Sequence, residues 1–352
     1  MRKRILLLTL LAGALLGTAA SAQTRWAVVN LSANYMHQAP DYESALETQA
    51  LMGTVVEIIA EQGYWRQVVQ HDPPYVAWTT ELGLAEMRPD ELDLYMEAPK
   101  YICTAFTSKV YGRPSLRSEP LSDLVMGDLV RMVINDKGRA VRSLGFCQVL
   151  LPDGRSGYVR TQDLADFPAW AEKCNPKPAA LEKTARQMLG IPYMWGGTSV
   201  KSLDCSGFVW MVYYMNGILL PRNASQQAHC GIEVPLNRLK AGDLIFFGTP
   251  GYGDTPDRIA HVGISLGGKQ FIHASHVVRV SSLDPASPDY YNSKTPLFAC
   301  RIVERGTLTE GGYYSRGSRN TYGYATRSAE EGEEGATNRY FAIPVSESPW
   351  YF

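Results

Sequence analysis

Residues 203–208 read Leu-Asp-Cys-Ser-Gly-Phe and open an apolar segment that continues to Asn216 and is followed by Gly217. Such a segment, with a glycine just past its end, predicts a helix over 205–216. Cys205 then lies in the first turn, where unpaired backbone N–H groups and the positive end of the helix dipole favour a thiolate over a thiol. The sequence therefore predicts Cys205 as an activated nucleophile.

Two histidines downstream supply the other groups that a thiol nucleophile needs. Histidine is the side chain whose ordinary pKa lies nearest neutrality, so it is the usual base for such a nucleophile. His261 lies in an apolar segment that predicts a strand, and His273 lies on the next predicted strand. We predict His261 as the base and His273 as the group that orients it through the other ring nitrogen.

The spacing of these histidines constrains the hairpin between them. They are 12 residues apart, so they share a face of the sheet only under one of two conditions. Either the connection at 266–269 leaves an odd number of residues unpaired, or the ladder contains a bulge. A two-residue turn on the Gly267-Gly268 dipeptide alone would place the histidines on opposite faces. We predict a loop of three or five residues.

Five segments of the sequence together carry a family resemblance. They are YMWGG at 193–197, DCSGF at 204–208, GDL at 242–244, HVGI at 261–264 and FIHA at 271–274. In order, spacing and residue type, this set resembles the NlpC/P60 family of papain-like cysteine peptidases. The resemblance implies an α+β papain-like domain over 181–303. It also implies Cys205 as nucleophile, His261 as general base and later general acid, and His273 as the orienting residue. Tyr193 is implied near the nucleophile, where it can stabilise an oxyanion beside the N–H of Cys205.

The sequence before this domain predicts strands instead of helices. Short apolar segments are broken by turn residues, and a similar plan occurs twice, with Gly53 and Gly127 at matching places. Both units resemble bacterial SH3 domains, known as SH3b. The resemblance implies a multidomain chain with two small all-β SH3-like barrels, over 24–95 and 100–165, and another small β-barrel or sandwich is the alternative. The proline-rich connection at 166–180 predicts a linker.

The combination of these units implies a substrate. NlpC/P60 peptidases that follow SH3b units resemble enzymes that cleave γ-D-glutamyl-L-diamino acid bonds in murein-derived peptides with a free amino-terminal L-alanine. In such enzymes an acidic residue before the nucleophile holds the ammonium group, and Asp204 matches it. The other candidate pocket residues are Ser206, Ser225, Tyr111 and Glu81. Ala224 stands where such enzymes often carry an acidic residue before the serine.

Several alternatives stay open on the sequence alone. Asp204 can be a plain helix N-cap. Cys205, His261 and His273 can ligate zinc, although no fourth ligand stands at metal spacing, and the family uses no cofactor. In other functional classes, the chain can be a wall-binding module with an inert peptidase-like domain, or an amidase or acyltransferase on the same fold. The presence of all three candidate catalytic residues favours the peptidase.

The composition limits the class of partner. Among 352 residues, 34 Lys and Arg balance 35 Asp and Glu, 45% of residues are hydrophobic and 20% are charged. This balance excludes general disorder and excludes binding of nucleic acid or anionic membranes by bulk charge. Six cysteines are too few for a disulfide scaffold. We expect a monomer that acts on murein-derived peptides.

The two ends of the chain differ from the rest. Basic residues at 2–4, an apolar segment at 5–16 and Ala20-Ser21-Ala22 have the pattern of a secretory signal over 1–22. The apolar segment is shorter than the roughly 20 residues of a spanning helix, so we expect no transmembrane segment and a secreted or periplasmic location. Residues 306–352 are rich in Gly, Ser, Tyr and Glu, which predicts a low-complexity tail.

Overall fold

Each of three successive units of the chain contains a sheet of its own. The computed structural model describes residues 24–71, 74–304, 307–309, 343–345 and 348. The predicted signal at 1–22 and most of the predicted tail lie outside these residues. Among the helices of the described part, none is both long and apolar enough to span a bilayer.

The first unit is an antiparallel sheet of short strands. They are β1 (Arg25–Val29), β2 (Asn34–His37), β3 (Leu46–Ala50), β4 (Val55–Gln62), β5 (Trp65–His71), β6 (Pro74–Thr80) and β7 (Leu84–Met87). They pair in the order β3-β2-β6-β5-β4-β1-β7. Ala27, Met36, Val56 and Val68 lie in a separate core of this unit. Helix α1 (Pro89–Glu97) follows the sheet.

The second unit repeats this plan. Its strands are β8 (Lys100–Cys103), β9 (Thr107–Tyr111), β10 (Pro120–Val125), β11 (Leu129–Met132), β12 (Arg142–Ser143), β13 (Phe146–Leu150), β14 (Ser156–Arg160) and β15 (Leu164–Asp166). They pair in the order β10-β9-β14-β13-β11-β8-β15, and β12 pairs with β13. Both units are strand-rich, as predicted. Within the described residues no pairing joins β3 to β7 or β10 to β15, so hydrogen bonds do not close either sheet into a barrel.

The predicted linker at 166–180 contains regular structure. Helix α2 (Phe167–Lys173) begins after Asp166, whose carboxylate accepts a hydrogen bond from the N–H of Ala169 at 3.0 Å. Pro168 lies in its first turn, where the missing N–H of proline is not needed. The predicted linker therefore contains a helix, because Pro168 stands at a helix start, where a proline does not exclude helix formation.

The third unit combines helices with a six-stranded antiparallel sheet. Its helices are α3 (Pro178–Gln187), α4 (Cys205–Tyr214) and α5 (Ala224–Gln227). Its strands are β16 (Thr198–Ser199), β17 (Ser202–Leu203), β18 (Ile218–Leu219), β19 (Ile232–Val234), β20 (Leu244–Thr249), β21 (Arg258–Gly267), β22 (Gln270–Ser275), β23 (Val277–Ser282), β24 (Thr295–Arg301), β25 (Val303–Glu304), β26 (Thr307–Leu308) and β27 (Ile343–Pro344). The large sheet has the order β19-β24-β20-β21-β22-β23. Every residue of α4 is buried, so this helix lies in the interior of the unit.

A short part of the predicted tail belongs to the third unit. β27 pairs with β18, just after the end of α4. Val345 is buried, and its N–H donates to the carbonyl of Gly217 at 2.9 Å. This part of the predicted tail therefore pairs with the third unit and packs on it.

The hairpin between β21 and β22 contains a bulge. Its turn consists of two residues, 268–269, so the predicted loop of three or five residues is wrong. The register shifts between Ser265 and Gly267, which adds one residue to β21 and restores the parity that the short turn loses. Gly267 has φ +90°, a conformation that glycine adopts without strain. As a result, His261 and His273 lie on the same face of the sheet.

The two matching glycines lie where the units pack together. Gly127 has φ +95°, and a Cβ there would lie 2.8 Å from the ring of Tyr214 on α4. The hydroxyl of Tyr214 donates a hydrogen bond to the carbonyl of Gly127 at 2.9 Å. A Cβ on Gly53 would lie 2.7 Å from that of Leu129 in the second unit. The repeat in the sequence thus marks the turns through which each unit contacts the next.

Candidate active site

The first turn of α4 carries the predicted nucleophile. Cys205 is the first residue of the helix and is 8% exposed. Its thiol lies against β21, because the backbone N–H of Val262 reaches it. A Cβ on Gly207 would lie 2.0 Å from the carbonyl oxygen of Gly197, so the absence of a side chain lets the segment at 193–197 pack on the helix start. This contact explains why the two glycine-containing motifs occur together.

The two predicted histidines are joined by a hydrogen bond. His261 Nε2 lies 2.7 Å from His273 Nδ1, and His273 Nε2 lies 2.9 Å from the hydroxyl oxygen of Ser281. All three side chains are buried. Cys205 lies near these histidines, because the N–H of Val262, the residue after His261, reaches its thiol. The hydrogen bonds also add Ser281, which the sequence analysis missed.

Burial controls the charge of these groups. It raises the pKa of Cys205 to about 12, and the carboxylate of Asp204 adds to this shift. Burial lowers the pKa of His261 to about 4, with Lys294 acting in the same direction, and it lowers the pKa of His273 to about 2. The direction for Cys205 is opposite to the one expected from the helix terminus alone. Burial thus favours the neutral form of both the thiol and the imidazole.

An aromatic side chain holds the ring of His261 in place. Tyr291 stacks on His261 with ring centroids 5.5 Å apart, and it meets His273 edge-on at 4.9 Å. Burial raises the pKa of Tyr291 to about 12, and the nearby Cys205 adds to this shift. Tyr291 lies between β23 and β24, in a stretch whose sequence has no period that would single it out. The sequence analysis missed it for that reason.

The carboxylate of Asp204 accepts five hydrogen bonds from other groups of the protein. Its carboxylate accepts hydrogen bonds from the N–H of Gly207 at 2.7 Å, the N–H of Gly196 at 3.0 Å and the hydroxyl of Ser206 at 3.2 Å. Arg222 donates two more, from Nη2 at 2.5 Å and from Nη1 at 3.1 Å. The N-cap role that the sequence left open is confirmed. Five protein donors leave this carboxylate little capacity for a substrate ammonium group.

Strand β3 of the first unit packs directly on this site. Gln49 and Thr198 share three hydrogen bonds, of 2.7, 2.9 and 3.2 Å. Arg222 Nε donates to the hydroxyl of Thr48 at 2.8 Å. The first unit therefore contacts both the segment before the nucleophile and the arginine that pairs with Asp204.

Two further residues of the first unit lie next to these contacts. The carboxylate of Glu47, the residue before Thr48, accepts a hydrogen bond from the hydroxyl of Tyr75 at 2.6 Å. Burial raises the pKa of Tyr75 to about 12, with Glu47 acting in the same direction, whereas Arg222 and Asn223 oppose the shift. Both residues are only half-buried. Unlike Asp204, Glu47 is a carboxylate at the site that still has exposed surface.

The other predicted pocket residues lie at different distances from the nucleophile. Tyr193 is half-buried, and burial raises its pKa, with Cys205 and Asp204 adding to the shift, so it lies beside the nucleophile. Ser206 donates to Asp204 and accepts a hydrogen bond from Arg222 at 3.0 Å. Ser225 is exposed on α5.

Glu81 and Tyr111 lie in other surroundings. Glu81 forms an exposed ion pair with Arg66 at 2.6 Å. Tyr111 packs edge-on against Phe146 inside the second unit, with centroids 6.1 Å apart. Within residues 24–71 and 74–304, no hydrogen bond, ion pair or ring contact joins either residue to Cys205. Their role in the substrate pocket stays a prediction without structural support.

The described residues also bear on the zinc alternative. Among them, no group of three or more His, Cys, Asp or Glu side chains has the arrangement of a metal site. The hydrogen bond between His261 and His273 uses two of the ring nitrogens that a shared metal would need.

Two family matches cover the parts of the chain described above. Residues 190–295 match the NlpC/P60 family, and residues 36–81 match the bacterial dipeptidyl-peptidase Sh3 domain. Over 241 residues the chain is 30% identical to the gamma-D-glutamyl-L-lysine dipeptidyl-peptidase of Bacillus subtilis, a match that covers 66% of this chain and 73% of that protein. The chain belongs to the NlpC/P60 family.

Other NlpC/P60 similarities extend beyond the catalytic unit. The dipeptidyl-peptidase 6 of Lysinibacillus sphaericus is 29% identical over 276 residues, which cover 75% of this chain and 93% of that protein. A crystal structure of an NlpC/P60 family protein from Bacillus cereus matches with a TM-score of 0.64 at 26% identity, covering 78% of this chain and 99% of that one. The family predicted from five short segments is confirmed, and with it the general class of peptidase.

Proposed function

We propose that this NlpC/P60 protein is a cysteine peptidase that hydrolyses the γ-D-glutamyl-L-diamino acid bond of murein-derived peptides, with Cys205 as nucleophile and His261 as base. The observation that carries the proposal is the 2.7 Å hydrogen bond between His261 Nε2 and His273 Nδ1, beside the first turn of α4. It occupies one ring nitrogen of His261 and leaves Nδ1 to accept the proton of the thiol. A thiol, a histidine and a second group that orients the histidine form the set that thiol peptidases use.

The first half of the reaction forms an acyl-enzyme. The sulfur of Cys205 attacks the carbonyl carbon of the γ-glutamyl amide while its proton passes to Nδ1 of His261. Because burial favours the neutral thiol and the neutral imidazole, we assign this transfer to the same step as the attack. The C–N bond then breaks, His261 gives the proton to the leaving amine of the diamino acid, and a thioester to Cys205 remains.

The second half of the reaction returns the enzyme to its resting state. A water molecule gives a proton to His261 and attacks the thioester, the C–S bond breaks, and the thiol of Cys205 takes the proton back. In both halves a negative charge develops on the carbonyl oxygen. The N–H of Cys205, at the first helical position, has no intrahelical acceptor and can donate to this oxygen, with Tyr193 beside it.

The first unit favours a substrate with a free amino terminus. Strand β3 packs against the segment before the nucleophile through Gln49 and Thr198, which closes the cleft on that side. A peptide chain that continued beyond the amino-terminal residue would meet this strand. The position supports release of a dipeptide instead of cleavage inside a long chain.

Glu47 is the best acceptor for the ammonium group of such a substrate. Its half-buried carboxylate carries one protein hydrogen bond, from Tyr75, whereas that of Asp204 carries five. Asp204 then contributes negative charge to the pocket from a fixed position, and Ser206 belongs to the same hydrogen-bond network. Ser225, on α5 after Asn223, extends the rim of this pocket.

The named relatives support the same substrate class. Two of the similar proteins are called gamma-D-glutamyl-L-lysine dipeptidyl-peptidase, at 28% and 30% identity. By this likeness we also propose that the second unit is an SH3b domain, as the match over 36–81 indicates for the first, and that the enzyme works outside the cytoplasm after removal of 1–22.

The proposal is tested with synthetic peptides and mass spectrometry. The protein lacking 1–22 is incubated with L-Ala-γ-D-Glu-L-Lys, with the diaminopimelate analogue, and with each peptide N-acetylated. Release of L-Ala-D-Glu from the free peptides only is expected, and Cys205→Ala should abolish it without loss of folding. Cleavage of neither form would support a binding module, and cleavage of a different bond would support an amidase.

A further inference from the structure

A buried serine ends the hydrogen-bond chain behind the proposed base. β22 and β23 pair His273 with Arg279 and Phe271 with Ser281, so Ser281 lies on the face of His273, two pairs further along the ladder. Its hydroxyl oxygen is 2.9 Å from His273 Nε2. His273 is 0% and Ser281 is 2% exposed, so bulk water cannot replace this contact.

The donor-to-acceptor direction of the hydrogen bonds from His261 through His273 to Ser281 decides whether His261 can act as a base. For Nδ1 of His261 to accept the thiol proton, the ring must carry its own proton on Nε2, and that N–H must donate to Nδ1 of His273. His273 must then carry its proton on Nε2, where a hydrogen-bond acceptor is needed. A hydroxyl oxygen has lone pairs for this purpose, and Ser281 supplies the one that lies there.

We propose that Ser281 is a positioning residue that makes the catalytically competent tautomers of His273 and His261 available. Without its hydroxyl, a proton on Nε2 of His273 would be a buried donor with no acceptor. Moving that proton to Nδ1 removes the unsatisfied donor. Nδ1 of His273 would then donate to Nε2 of His261, and the proton of His261 would move to its own Nδ1, the nitrogen to which the proposed function assigns the thiol proton. The base would then hold a proton at the position where it has to accept one.

This inference rests on the proposed function, because it assigns a role within the reaction of Cys205. The tautomers themselves are properties of the resting protein and can be measured without any substrate. The chain has only six histidines, so the nitrogen signals of His273 and His261 can be assigned with one His→Gln variant of each. Failure of the proposed function and failure of this inference are therefore separate results.

The test uses an isosteric pair of variants at one position. Ser281→Thr keeps an oxygen near His273 Nε2, whereas Ser281→Val has the same shape without it, and Ser281→Ala removes the oxygen with the least added volume. Ser282→Ala is the matched control, because this neighbouring serine is buried but its side chain points to the other face and accepts from the N–H of Asp284.

Nitrogen NMR of histidine-labelled protein is the deciding measurement. Wild type, Ser281→Thr and Ser282→Ala should carry the His273 proton on Nε2, and Ser281→Val and Ser281→Ala should carry it on Nδ1. For the peptide L-Ala-γ-D-Glu-L-Lys, kcat of the latter two should fall roughly 10- to 100-fold with KM little changed, the size expected for loss of an orienting partner.

Two results would overturn the inference. One is a spectrum in which His273 carries its proton on Nδ1 in the wild type, or on Nε2 in Ser281→Ala. The other is a Ser281→Val protein as active as Ser281→Thr. If even the wild type cleaves no peptide, the proposed function fails. The tautomers and the rate of Cys205 alkylation by iodoacetamide, compared between Ser281→Thr and Ser281→Val, still decide the role of Ser281.

Discussion

Asp204 and Arg222 form an ion pair in which both residues are almost fully buried, 5% and 3% exposed, with Nη2 and Oδ2 2.5 Å apart. Because Asp204 also caps α4, the pair fixes the start of the helix and hence the position of Cys205. Arg222 extends the same network to Thr48 in the first unit. One arginine thus links the residue before Cys205 to strand β3 of the first unit.

Removing this arginine should strongly destabilise the protein. Arg222→Met leaves the carboxylate of Asp204 buried without its counter-charge, and breaking a buried pair from one side costs about 3–5 kcal/mol. Arg186→Ala, which removes an exposed pair with Glu182, should change the free energy of unfolding by less than about 0.5 kcal/mol. Urea unfolding of both variants checks this. Equal effects would mean that Asp204 does not depend on Arg222.

The recognition of the amino terminus should depend on Glu47. Glu47→Gln removes the negative charge that we assign to the substrate ammonium group, so KM for L-Ala-γ-D-Glu-L-Lys should rise roughly 10-fold or more, with a smaller change in kcat. Glu81→Gln is the matched control, because Glu81 is an acidic residue of the same unit that pairs with Arg66 on the surface. A larger effect at Glu81 than at Glu47 would restore the original sequence prediction and refute the new one.

The secondary structure around the three candidate catalytic residues follows from the local sequence. Local composition predicts the helix start at Cys205 and the strands that carry His261 and His273, and the structure has these elements. Their grouping at one site followed from a family pattern that the comparisons confirm. The short turn between the strands was predicted wrongly, because a bulge at Ser265 leaves no mark in the sequence.

The residues that the sequence did not reveal come from distant segments. Gln49 and Thr198 are 149 positions apart, and no local pattern in either segment predicts their pairing. Glu47 reaches the site through equally distant contacts, such as the one between its carbonyl and Arg222, 175 positions away, so the local sequence does not mark it. Tyr291 was missed because it lies outside any periodic segment, although it stacks on His261.

The buried histidines should make the protein less stable in mild acid. His261 and His273 stay neutral in the folded state because burial lowers their pKa values, to about 4 and about 2, whereas the unfolded chain takes up protons below about pH 6.5. The contribution of these neutral histidines to the free energy of unfolding is therefore fully present above about pH 6.5, and it is lost as the pH drops toward 4. Between about pH 7.5 and pH 5, each histidine should account for a loss of about 2 kcal/mol.

Variants separate this effect from that of other titrating groups. His273→Gln removes one buried titrating group, so the fall in stability between the two pH values should be smaller by about 2 kcal/mol. His276→Asn replaces an exposed histidine whose φ of +62° suits asparagine, and it is the matched control for exchanging a histidine. Urea unfolding at both pH values checks both variants. If the free energy of unfolding of His273→Gln fell as much between the two pH values as that of the wild type, the fold would not hold His273 neutral.

The packing of the second unit on α4 should be sensitive to a single methyl group. Gly127→Ala places a Cβ 2.8 Å from Tyr214 and Leu51 at a backbone position with φ +95°, so both a steric and a conformational penalty apply. Gly138→Ala, at φ +68° with nothing within 4 Å, carries only the conformational penalty of about 1 kcal/mol. We expect Gly127→Ala to destabilise the protein by about 1–3 kcal/mol more than Gly138→Ala in urea unfolding. Equal losses would mean that Tyr214 moves away freely, and the turn at Gly127 would then not hold the second unit against the helix that carries Cys205.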